Sequence, residues 1–189
     1  MMILRGLGVC CILALSACSL VSESEVSVYR PFETHALQAH GRWAFSGRLA
    51  VADERESFSA SVNWRHLGGR DDIELLGPLA QGRLAISVVD GAVTIDDGEN
   101  RQEFYGSAEQ VLSERLGVVM PVDSLRYWVF GILDPGLQGV ELDAGFMQAG
   151  WRVTFRDVYK VASDSLPKKI NIEKDRTKIK LIVDQWDLS

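Results

Sequence analysis

Gly77-Pro-Leu-Ala-Gln-Gly82-Arg83 sets two glycines, with four residues between them, ahead of a basic side chain. That layout imitates a loop that cradles phosphate with its backbone N–H groups. Such a loop also needs a lysine to reach the phosphates, a serine or threonine to hold magnesium, and a helix opening behind it. Here Arg83 and Leu84 take those places and a strand-like alternation follows, which argues against nucleotide chemistry. Three histidines could in principle ligate a metal or move a proton. His35 and His40 are spaced by five, whereas residues three or four apart share a helix face. His66 lies near Asp71 and Asp72 but adjoins Leu-Gly-Gly-Arg, which reads as a hairpin tip. No histidine pair has zinc-helix spacing, and Asp96-Asp-Gly-Glu-Asn is too short for a calcium loop and reads as a tight turn. The Gly-x-Ser-x-Gly pattern of a nucleophile elbow is absent. No catalytic set emerges, and the chain reads as a non-enzyme that needs no metal or cofactor.

One thiol remains. Arg5 precedes the apolar run Leu-Gly-Val-Cys-Cys-Ile-Leu-Ala-Leu, nine residues long. That is too short to span a bilayer and right for a secretory signal peptide. The run ends in Leu15-Ser-Ala-Cys18, which resembles the lipobox of bacterial lipoproteins. The resemblance implies cleavage after Ala17, with S-diacylglycerol and an N-acyl group on Cys18. Cys10 and Cys11 leave with the leader, so neither a disulfide framework nor a thiolate metal site remains. By analogy with enterobacterial sorting, Ser19 in place of an aspartate implies the outer membrane. Residues 1–17 are therefore expected to be the signal peptide and 18–30 the acylated cysteine and a polar tether. Residues 31–189 are expected to form a single domain. Removing the leader deletes one arginine and no acid, taking the formal charge from −6 to −7. A chain this acidic gives no reason to expect nucleic acid as a partner. The locally basic stretch from Lys168 to Lys180 alternates with apolar residues and reads as a solvated strand face.

The elements that must position any site are mostly strands. Trp43, Phe45, Leu49 and Val51 alternate with Arg42, Ser46 and Arg48. Phe58, Ala60, Val62 and Trp64 repeat the period, as do Ile73 and Leu75, and Leu84, Ile86 and Val88. Trp151, Val153 and Phe155, then Ile179, Leu181 and Val183, complete it. Period two in so many segments, divided by turn signals such as Asp-Gly-Ala and Leu-Gly-Gly-Arg-Asp-Asp, predicts a largely antiparallel sheet with one apolar face. So many strands are expected to curl into a partial barrel. Ser107, three residues before Gln110, and Gly117 mark the two ends of one amphipathic helix. Leu125, Trp128, Val129 and Ile132 form the stripe of a second after Pro121, and Phe32, Ala36 and Ala39 suggest a third. Helices over the mouth of such a sheet enclose apolar space, which pattern alone reads first as solid core, since apolar stripes usually just pack, and second as a cavity.

Four features then coincide: the lipobox, the Gly-Pro-Leu-Ala turn, the helical pair from Ser107 to Gly131, and the closing Lys178-Ile-Lys-Leu-Ile-Val-Asp-Gln-Trp186 strand. In that order and spacing they resemble the LolB family, outer-membrane lipoproteins that receive other lipoproteins and insert them into that membrane. The likeness runs from about Ala36 to Trp186. It implies a mainly β chain with some α, folded as an unclosed antiparallel β-barrel under a short helical lid that encloses an apolar cavity. It also implies acylated lipoprotein cargo, outer-membrane lipids, the soluble periplasmic carrier LolA as donor, and a monomer. Trp43, Phe45, Leu49, Val62, Trp64, Leu112, Leu125, Trp128 and Val129 are the candidates to line the cavity. A leucine protruding from a Pro-Leu-Gly loop serves membrane insertion in that family, a role that passes here to Leu79 with Pro78 stiffening the turn. Gly77 stands where the family has Asn, and Ala80 where it has Gly. The alternatives are that Leu79 folds back onto the sheet, and that the chain is a non-enzymatic scaffold lipoprotein of an envelope complex.

Overall fold

The structure is a computed structural model that describes residues 41–54, 57–78, 82–117, 119–161 and 164–188. The expected early helix, the tether and Cys18 lie outside the described residues. Strands β1 (Arg42–Ala52), β2 (Ser57–Leu67), β3 (Arg70–Leu76), β4 (Arg83–Val89), β5 (Ala92–Asp96) and β6 (Arg101–Tyr105) form an antiparallel meander. Helices α1 (Ala108–Leu116) and α2 (Val122–Trp128) follow. Strands β7 (Gly139–Leu142), β8 (Gly145–Gln148), β9 (Trp151–Val161), β10 (Asp164–Lys174) and β11 (Thr177–Asp187) complete the sheet. Its order is β6-β5-β4-β3-β2-β1-β11-β10-β9-β8-β7, so the last strand returns beside the first while β6 and β7 stay as free edges. The sheet is an unclosed antiparallel barrel, as the sequence led us to expect.

Alternation sets which face is inward. Trp43, Phe45, Leu49 and Val51 are buried, and so are Val62, Trp64, Ile73, Leu75, Ile86 and Val88 on the neighbouring strands. Trp151, Val153, Phe155, Ile179, Leu181 and Val183 close the same core from the other half. The two halves join through β1 and β11, whose register slips between Ser46 and Gly47. A bulge of this kind sharpens the local twist and helps a wide sheet curl. Gly47 packs its backbone against the Ile182 carbonyl, where a Cβ would collide, and Gly145 meets the Val153 carbonyl in the same way.

The lid segment bridges the gap between the free edges. Ser107 caps α1 by accepting the Gln110 N–H on its Oγ at 3.2 Å, and Gly117, at φ 68°, ends the helix in the left-handed region. Only half of the expected capping box forms, because the Gln110 side chain donates to Glu114 instead of turning back. The stripe of α1 buries Ala108, Val111 and Leu112, and that of α2 buries Val122, Leu125 and Trp128. Both stripes face the concave side of the sheet and share its core.

Candidate functional site

The apolar space beneath the lid is the first candidate, and it is nearly full. Phe45, Leu49, Val62, Trp64, Ile73, Met120, Leu125, Ile179 and Leu181 surround a cavity of about 20 Å³. One water molecule occupies about that much space, so no hydrocarbon chain fits in this cavity as the described residues form it. Five of the nine expected lining residues meet there: Phe45, Leu49, Val62, Trp64 and Leu125. Trp43, Leu112, Trp128 and Val129 are buried too, but away from the cavity. The enclosed space expected from sequence is thus closed by the protein's own side chains, because both helices seat their apolar stripes directly on the sheet. A larger concavity, about 620 Å³, lies on the opposite face and is open to solvent. Asn63, Arg65, Asp72, Glu74, Arg83 and Arg101 are among its lining residues, a mixed-charge wall ill suited to hydrocarbon. There Arg70 hydrogen-bonds Asp72 and holds its carboxyl below the usual carboxylate range.

Polar anchors fix α2 over the core at two places. On one side Asp71 is wholly buried in an inward position of β3. Its Oδ1 accepts from Trp64 Nε1 at 2.9 Å and from His66 Nδ1 at 2.8 Å. Its Oδ2 lies 2.9 Å from Arg126 Nη2 of α2, which also donates to Asp123 at 2.8 Å. On the other side Gln148 of β8 is buried and fully satisfied. Its Oε1 accepts from Trp128 Nε1 and the Asp134 N–H, while its Nε2 donates to the Asp134 and Leu137 carbonyls, all at 2.8–2.9 Å. Ser124 adds a bond to Asp134 at 2.8 Å. Helix α1 has a lighter tie, the Arg115 guanidinium 4.4 Å from the centre of the Phe104 ring on β6.

Beside the Asp71 anchor lies an aromatic box. Trp43 stacks on His66 at 5.2 Å, meets Phe130 edge-on at 5.3 Å and borders Trp64 at 5.6 Å. Trp186 stacks on Phe130 at 4.8 Å and leans on Phe45 at 5.3 Å.

Residues 41–186 match the family model described as outer membrane lipoprotein LolB. The chain belongs to the LolB family. An outer-membrane lipoprotein LolB of Nitrosococcus oceani is 33% identical over 81% of this chain and 80% of its own length. One from Halorhodospira halophila is 29% identical over 96% and 94%. Among solved structures, a LolA-superfamily protein from Nitrosomonas europaea covers 79% of this chain and 87% of its own, with a TM-score of 0.47 and 9% identity. As a LolB-family member the chain is an outer-membrane lipoprotein concerned with lipoprotein localisation.

The loop for which the resemblance implied a membrane-insertion role falls between β3 and β4. The Gly77 N–H donates to the Gly82 carbonyl at 3.0 Å and pins the loop's base, Gly82 takes φ 78°, and Pro78 is exposed. Leu79 and Ala80 lie outside the described residues, as does Cys18. Sequence reasoning missed the polar cluster at the lid. The hairpin tip expected beside His66 is there, at Gly68-Gly69, but His66 itself is the penultimate residue of β2, pairs with Asp71 across the hairpin and hydrogen-bonds its carboxylate. The available signal was the period itself: Asp71 shares the inward parity of Ile73 and Leu75, and a charge there calls for a partner.

Proposed function

We propose that this LolB-family protein accepts acylated lipoproteins from a periplasmic carrier of the LolA kind, shelters their acyl chains beneath the helical lid, and passes them to the outer membrane. The lipid on Cys18 anchors it there, and Leu79 serves release into the bilayer. The observation that carries this reading is the single apolar face of an unclosed sheet, covered among the described residues by two short helices. At about 0.8 kcal/mol per CH₂, a sixteen-carbon chain in water costs on the order of 12 kcal/mol, so cargo must be shielded at each step. With a cavity of only about 20 Å³ at rest, acceptance requires the lid to move. Burying one leucine is worth roughly 1.5–3 kcal/mol, too little to anchor a domain and enough for a trigger at the membrane.

The small resting cavity also favours a second reading, a scaffold lipoprotein that binds partners on its exterior. One transfer assay separates the two. Carrier loaded with acylated or unacylated lipoprotein is mixed with the chain and then with liposomes. We expect only acylated cargo to pass to the chain, and Leu79→Glu to receive it normally while inserting at most about a tenth as much. Normal insertion by Leu79→Glu removes the leucine's role. Equal capture of both cargo forms supports the scaffold.

A further inference from the structure

We propose that the aromatic box at the Arg42 end of the barrel is a head-group site for the acyl carbonyls of the cargo's diacylglyceryl-cysteine, with Trp186 Nε1 and Arg126 Nε as its donors. The inference rests on the acyl-sheltering reading and names the part of the cargo that this end of the interior holds.

The box gathers at one end through strand register. Phe45 pairs with Trp186, Trp43 with His66, and His66 with Asp71. Trp186 is 8% exposed and ringed by Phe45, Trp43 and Phe130. Among the described residues its indole N–H meets no acceptor, and neither does the buried Nε of Arg126, while the neighbouring Asp71 Oδ2 faces Arg126 Nη2 as an ion pair and accepts no hydrogen bond. Buried donors nearly always have partners, and an indole N–H can only donate. One orphaned donor therefore sits among the rings, and a second lies on the Arg126 side chain, which Asp71 ties to Trp64 and His66 of the same box; together they describe a place waiting for acceptors.

Charge balance selects the acceptor. Arg126 already spends Nη2 on Asp71 and Asp123, so its positive charge is answered by two carboxylates. A further full anion would face Asp71, wholly buried, and Asp123 beside it. A neutral ester carbonyl brings acceptor lone pairs without net charge. It also comes attached to a hydrocarbon chain that, once the lid has moved, can run from the box toward Leu49, Val62 and Leu181 along the apolar interior. A free fatty acid or a phosphate would bring the wrong charge, and a bare hydrocarbon would leave both donors unpaired.

The test compares two cysteinyl peptides of equal chain length on the purified chain by fluorescence titration, one S-diacylglyceryl and the other its dialkyl-ether analogue, which lacks both carbonyls. We expect the diacyl ester to bind about tenfold more tightly than the ether, the scale of one or two buried hydrogen bonds. Trp186→Phe keeps the ring and loses the N–H. It should shrink that preference to within about threefold by weakening the ester alone. Arg126→Lys keeps the charge beside Asp71, removes Nε, and should act in the same direction, which decides the matter should Trp186→Phe fold poorly. Equal binding of ester and ether by the unaltered chain overturns the head-group site and leaves acyl sheltering intact. So does a preference unchanged in both variants. Failure of both peptides to bind overturns the sheltering reading and this inference with it.

Discussion

Among single residues, Asp71 has the largest structural consequence for its size. A carboxylate with no exposure survives only because Trp64, His66 and Arg126 converge on it. Asp71→Ala strips the acceptor from two N–H groups and leaves Arg126 with Asp123 alone. Each orphaned buried donor costs about 1–3 kcal/mol, and His66 and Arg126 recover part of it through water, so we expect a loss of about 2 kcal/mol. Urea unfolding measures it, and a midpoint equal to that of the parent would show the cluster to be neutral for stability. The position was legible only in part. Period two told which apolar side chains of β1 to β4 face inward, and Asp71 shares their parity, a signal that the hairpin reading of this stretch passed over. Its partner Arg126 was not legible, because local patterning carries no information about which distant helix lies across which strand. Trp43, Phe45 and Trp64 were readable as inward, but their gathering around Phe130 and Trp186 depends on the β1–β11 pairing that closes the chain.

Among elements, the two lid helices differ in how firmly they are held. Helix α1 buries two sizeable side chains, Val111 and Leu112, worth roughly 3–6 kcal/mol at most, and its tie to β6 is one cation–π contact. Helix α2 and its following turn bury Val122, Leu125, Trp128, Val129 and Phe130, roughly 8–15 kcal/mol on the same scale, and add the anchors on Asp71 and Gln148. If the lid opens by parts, α1 goes first and α2 stays. Native-state hydrogen exchange should show the α1 amides opening well before those of Leu125, Val129 and Gly131. A single common opening energy for both helices would contradict that order. The sequence marked α1 at both ends through Ser107 and Gly117, whereas α2 had only Pro121 ahead of it. Strands β7 and β8 escaped notice because four-residue strands, each opening on a glycine, are too short for a period to show. That β7 is the free edge opposite β6, with β8 joining it to β9, appears only once the whole sheet is assembled.

At the scale of the molecule, a barrel filled by its own lid imposes a cost on any guest. If only the opened form admits acyl chains, the apparent affinity is the intrinsic one reduced by the open fraction. A receiver that works by passing cargo onward benefits from this, since closure helps to expel what it has accepted. The same logic couples stability to binding with an unusual sign. Leu112 of α1 is fully buried and does not line the small cavity, so Leu112→Ala weakens lid closure while leaving the walls of that cavity unchanged. Leucine-to-alanine changes in cores cost about 2–5 kcal/mol. Where roughly 2 kcal/mol of that falls on the closed lid alone, the open fraction rises on the order of tenfold or more. We therefore expect Leu112→Ala to melt at a lower temperature and yet to bind an apolar fluorescent probe about tenfold more tightly. Its cargo should leave for liposomes more slowly in the transfer assay, because the weakened lid expels less. Affinity that falls together with stability would mean that the closed, densely packed interior is itself the binding form, and the opening cost would have no place in the mechanism.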